Sequence, residues 1–82
     1  MKLIDIVNQA DNSISVDMDS AYSTVCISDN EGKQDDIFMQ GDDADQFIAE
    51  YDALYNNPEL ADCDPDLIAR YLATPYAENL WD

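Results

Sequence analysis

Histidine is absent from this 82-residue chain, and lysine and arginine together occur only three times, as Lys2, Lys33 and Arg70. Without histidine, Ser/His and Cys/His nucleophilic sites cannot be assembled. The two glycines, Gly32 and Gly41, are too few for a phosphate-cradling loop. The two cysteines, Cys26 and Cys63, form no C-x-x-C pair. A zinc site is therefore not expected, and both read as reduced thiols rather than a disulfide. Long apolar runs are missing too. In "MKLIDIVNQADN" Asp5 interrupts the apolar stretch, which predicts neither a signal peptide nor a membrane span. The length implies one small acidic domain over residues 1–82, with a modest core and no cleft between domains.

Acid is abundant. Nineteen Asp and Glu give a formal charge of −16. Such a surface repels phosphate, so direct binding to nucleic acid or to an anionic membrane is disfavoured. A basic protein is its natural complement. The charge is also uneven: Gly41–Asp66, "GDDADQFIAEYDALYNNPELADCDPD", holds nine acids and no cation.

The chain nevertheless reads as folded, because its apolar residues are periodic. Residues 2–10 place Leu3, Val7 and Ala10 on one helical stripe, and "DNS" breaks it. "SISVDMD" (13–19) alternates, with Ile14, Val16 and Met18 on one face. "AYSTVCIS" (21–28) predicts a second strand, "DNEGK" (29–33) a hairpin turn, and "QDDIFMQ" (34–40) a third strand. Residues 44–56 form an apolar helical stripe of Phe47, Ile48, Tyr51, Leu54 and Tyr55, with Asp42 or Asp43 expected as its side-chain cap. Asp64 caps a third helix that has Pro65 at its first position, and Pro75 is expected to kink or end it. Leu80 and Trp81 are expected to dock on the core. The order α-β-β-β-α-α predicts an α+β fold: a three-stranded antiparallel meander with helices on one face. The expected core is Val16, Val25, Ile27, Ile37, Phe47, Tyr51, Leu54, Ile68 and Leu72.

Carboxylate chemistry has two outlets. A catalytic acid pair needs a low-dielectric pocket to raise one pKa, which a chain this small does not promise; no enzyme activity and no cofactor are expected. Calcium needs more than the Asp62, Asp64, Asp66 spacing: an EF-hand loop requires Gly at its sixth position and Glu at its twelfth, and Leu67 and Ala73 stand there. No dedicated metal site is expected. What remains is the acidic surface, which can serve solubility, salt adaptation or recognition. Asp42, Asp43 and Asp45 crowd a helix start, Glu50 and Asp52 follow on the same helix, Asp17 and Asp19 share a strand face, and Asp35 and Asp36 precede the third strand. Strand residues two apart are separated by about 6.6 Å, and duplex DNA carries a phosphate about every 3.4 Å of axis on each strand. Rows of carboxylates on rigid elements therefore approximate a phosphate track. A protein-binding surface made of these nine residues fits a basic groove built for DNA.

"GDDADQFIAEYDAL" resembles an acidic helix of an anti-CRISPR inhibitor of a type I surveillance complex, and the chain's size, charge and α/β order are similar to phage-encoded anti-CRISPR and DNA-mimic anti-restriction proteins. The resemblance implies a cytoplasmic inhibitor acting in an infected bacterial cell. Its partner would be a Cas protein or complex whose DNA-holding surface is blocked, with Asp42, Asp43 and Asp45 at the contact. The alternatives are inhibition of a restriction enzyme or another DNA-binding protein, an acidic adaptor, and a salt-adapted protein with no such role.

Overall fold

Alternation sets the sheet. In the computed structural model, which describes residues 2–10 and 12–81, β1 (Ile14–Asp19), β2 (Thr24–Asp29) and β3 (Ile37–Gln40) pair antiparallel in the order β1-β2-β3. The register sets Val16 opposite Ile27 and Met18 opposite Val25, then Val25 opposite Met39 and Ile27 opposite Ile37. Because side chains alternate across a strand, this row is one continuous apolar face. The other face carries Asp17 opposite Cys26, with Phe38 opposite Cys26 on its far side, and no buried residue.

Helices cover the apolar face. α2 (Asp42–Tyr55) contributes Ala44 and Phe47, and α3 (Pro65–Leu80) contributes Ala73 and Ala77, to a core with Ile14, Val25, Ile27, Ile37 and Met39. Ala69, Ala73 and Ala77 recur every four residues and are all buried, which presents a smooth stripe of α3 to its neighbours. A second apolar cluster joins Val7 of α1 (Leu3–Val7), Leu60 of a short 3-10 turn (Pro58–Leu60) and Ile68. Tyr51, Leu54, Leu67 and Tyr71 pack around it. The meander, the α+β class and the element order are those expected from the periodicities.

Several local features differ, each for a physical reason. A turn at residues 20–23 separates β1 from β2, so β2 begins at Thr24 rather than Ala21. The Asp19 carboxylate accepts from the amides of Ala21 (3.0 Å) and Tyr22 (3.3 Å), and Ser23 takes φ 52°. The third strand begins at Ile37 rather than Gln34; the Asp29 carboxylate accepts from the amides of Glu31, Lys33 and Gln34 at 2.9–3.0 Å and so draws Gln34 into the turn. Amides spent on that turn cannot enter the ladder. α1 is shorter than residues 2–10, and Asp11, part of the expected break, lies outside the described residues, as does the terminal Asp82.

Neither Asp42 nor Asp43 caps α2. The N-cap is Gly41, at φ 62° and ψ −134°, and no side-chain cap bond forms. Glycine alone adopts that conformation at low cost. Asp64 does cap α3, accepting from Asp66 N at 3.0 Å, with Pro65 in the first turn. Pro75 does not end α3, which runs on to Leu80. Tyr76, next to the proline, packs its ring on Phe47 (centroids 5.8 Å apart), and Ala73 and Ala77 are buried on either side, so tertiary contacts carry the helix through. Trp81 packs on the core and donates its indole N–H to Asp35 O at 2.8 Å, whereas Leu80 stays exposed. Of the expected core, Val16, Tyr51, Leu54 and Leu72 are only half-buried.

Candidate protein-interaction surface

α2 buries Ala44 and Phe47, so the opposite side of the helix faces solvent. With 3.6 residues per turn, each residue advances about 100° around the axis. Asp43 and Glu50 then share one flank, Asp45 and Asp52 share the other, and Asp42 lies between them with Gln46, Ala49 and Ala53 along the crest. Each pair is seven residues apart, a rise of about 10.5 Å. The two rails stand roughly a helix diameter apart, about 10–12 Å. All five acids are exposed.

Within the described residues these five carboxylates stand unpaired. Among the described residues none accepts a hydrogen bond or pairs with a cation; the one ion pair there is Lys33 Nζ to Glu31, 3.2 Å, between exposed side chains. Arg70 donates its Nε–H to the Asp66 carbonyl rather than to a carboxylate. Acids in the first turn do complement the positive end of the helix dipole, but Asp52 near the C-terminal end, with no basic residue in the last turn, does the reverse.

The remaining expected site residues lie elsewhere. Asp17 and Asp19 are exposed on the helix-free face of the sheet, the side of the molecule opposite the outer face of α2. Asp19 is engaged in the turn described above, and Asp17 stands in one cross-strand row with Cys26 and Phe38. Asp35 and Asp36 are exposed in the loop entering β3, beside the end of α3 through the Trp81 contact. The structure thus gathers Asp42, Asp43, Asp45, Glu50 and Asp52 into one array and distributes the other four over two separate places.

The sequence did not single out the groove beside that array, formed where α2 meets α3. Glu50, Tyr71, Leu72, Pro75, Tyr76 and Asn79 line a space of about 420 Å³. Tyr71, Pro75 and Asn79 are four residues apart and so share one side of α3, although the sequence reads Leu72 as core and Pro75 as a kink or end of the helix. On the same helix as Glu50, the Tyr51 hydroxyl is pushed above its ordinary 10.0 by burial first, and then by Tyr55 and the carboxylates of Asp52, Asp66 and Asp64. Both cysteines are free and half-buried. Among the described residues no three Cys, Asp or Glu side chains are grouped to hold a metal ion, and no helix is long and apolar enough to cross a membrane.

Comparison of the chain with protein-family profiles, with curated proteins and with solved structures found no match.

Proposed function

We propose that this protein is a DNA-mimic inhibitor: it binds the basic, DNA-accommodating surface of another protein and competes with DNA for it. The observation that carries this reading is the double rail on α2 with Asp42 between its lines: five exposed carboxylates that have no partner among the described residues. Along each rail the acids are about 10.5 Å apart, close to three axial phosphate steps of about 3.4 Å. The separation of the rails resembles the ≈ 12 Å width of the major groove between its phosphate backbones. A protein surface that spaces lysines and arginines to bracket duplex phosphates therefore meets carboxylates at compatible intervals. The resemblance to anti-CRISPR inhibitors supports a Cas effector complex as the target.

The test is competition. Labelled DNA bound to a purified Cas effector complex is titrated with this protein. Displacement that saturates, and that fails for the triple variant D42K/D43K/D45K while Asp5→Lys on α1 behaves as wild type, is the expected result. Association between protein and complex that leaves DNA binding unchanged at saturation refutes mimicry. Circular dichroism of the triple variant checks that helix α2 persists.

A further inference from the structure

The groove between α2 and α3 combines features that the acidic rails lack. Its walls are apolar and aromatic, from Tyr71, Leu72, Pro75 and Tyr76; its rim carries the Glu50 carboxylate and the Asn79 amide; and no cation lines it. Pro75 has no N–H, so the Tyr71 carbonyl lacks its usual helical donor four residues on. The groove offers acceptors at Glu50 and Asn79 beside an apolar, aromatic slot. Asp43, one rail position before Glu50 on the same flank, adds negative potential.

We infer that this groove receives an arginine side chain of the basic partner. The inference rests on the reading of the acidic surface as a partner-binding face. A guanidinium is flat, weakly hydrated and carries five donors; it stacks on aromatic faces and satisfies several acceptors at once. A lysine ammonium, compact and strongly hydrated, uses the slot less well. A second copy of this chain is disfavoured, because two surfaces of charge −16 repel. The groove is thus an anchor beside the rails: the rails attract a basic surface from a distance, and the slot fixes its position by taking one side chain out of water. Interfaces concentrate their binding energy in such desolvated anchors, with Arg prominent among them.

The experiment uses the full chain, isotope-labelled, titrated with N-acetyl-arginine amide in about 0.15 M salt, where charges beyond about 8 Å are screened. N-acetyl-lysine amide and the uncharged N-acetyl-citrulline amide are run alongside. Amide shifts confined to Glu50, Tyr71, Leu72, Tyr76 and Asn79, larger for arginine than for either comparison, are expected. Pro75→Ala removes a ring from the wall of the slot and should weaken arginine binding about fourfold, as for the loss of one buried methylene, while restoring a helix N–H and raising the melting temperature, so loss of binding cannot be ascribed to misfolding. Glu50→Gln should weaken it about threefold, as for a partly exposed charge pair. Shifts spread over all the acids, equal responses to lysine, or undiminished binding by Pro75→Ala overturn the inference. In the DNA competition assay the two claims separate. Displacement by wild type and by Pro75→Ala alike removes the groove and leaves mimicry standing. Arginine binding without displacement of DNA does the opposite.

Discussion

Replacing Pro75 by alanine should make this protein more stable, and the size of the gain follows from where the proline sits. It is the eleventh of sixteen residues in α3, far from the first turn where a missing N–H is harmless. In a helix interior proline is about 3 kcal/mol less favourable than alanine, through the lost bond to the carbonyl four residues back and the clash of its ring with it. The ring points to solvent, so alanine forfeits no core packing. Part of the strain has been absorbed by the contacts that hold the helix through the proline, Tyr76 on Phe47 and Ala73 and Ala77 in the core. The floor is then the one backbone bond regained with the Tyr71 carbonyl, about 1 kcal/mol. For a domain of this size that is a rise in melting temperature of at least about 4–8 °C. Thermal melting by circular dichroism, with a urea titration to show an unchanged m-value, measures it. An equal or lower melting temperature would mean that the packing around Tyr76, Ala73 and Ala77 already offsets the whole cost of the proline, and the reasoning would be refuted.

The other expectations concern the core, one turn, pH and salt. Phe47→Ala, fully buried and in ring contact with Tyr76, should cost about 3–5 kcal/mol, against about 2 for the half-buried Leu54→Ala; equal urea midpoints for the two would contradict the burial order. Asp29→Ala deprives three loop amides of their acceptor and should lose about 1–3 kcal/mol, whereas Asp29→Asn keeps one oxygen and should lose less in the same denaturant assay. Tyr51 holds its proton more tightly folded than unfolded, so its contribution to stability is whole below the unfolded value near pH 10 and is lost as pH rises through the folded one. Tyr51→Phe should flatten that alkaline decline in urea midpoints; an identical slope would exclude Tyr51 as its source. Sodium chloride should raise the melting temperature of the wild type, since nineteen acids repel and three cations attract; a flat curve would mean that the acids are locally compensated.

The parts of the fold legible in the sequence are those written in apolar periodicity. Ile14, Val16 and Met18 declared their face by alternation, and Phe47 and Tyr51 declared theirs at helical spacing; both faces turn inward as read. Elements defined by side-chain-to-backbone bonds were harder to place. Nothing in "DSAYS" distinguishes a turn from a strand until the Asp19 carboxylate is seen gathering two amides, and Ser23 takes a positive φ that glycine or asparagine usually advertises. The N-terminus of α2 misleads in the opposite way. Two aspartates look like caps, but Gly41, by turning sharply, brings the chain in so that both stand inside the first turn with their side chains in water. That displacement leaves their carboxylates unused by the backbone. The acids of the candidate surface could be counted from the sequence, but their grouping could not: it depends on which side of α2 the sheet covers and on Asp17 and Asp19 pointing away from the helices. The groove was hidden because its tyrosines fit a core stripe equally well and its proline reads as a stop.

The carboxylates divide by what they do for the chain itself. Asp19, Asp29 and Asp64 each accept from backbone amides, and their negative charge is part of the fold. Asp42, Asp43, Asp45, Glu50 and Asp52 accept nothing from the described residues, and their mutual repulsion opposes the compact state. Asp42, Asp43 and Asp45 gain something from the positive end of the α2 dipole and Asp52 does not, but the repulsion among all five is relieved when a basic surface approaches. One electrostatic origin then gives two salt dependences of opposite sign. Screening stabilises the free chain and weakens its hold on a basic partner, in parallel with the weakening of the DNA it competes with. Salt adaptation alone accounts for the first slope and leaves the second unexplained, so measuring melting temperature and partner affinity over the same salt series separates a surface built for solvent from one built for a partner.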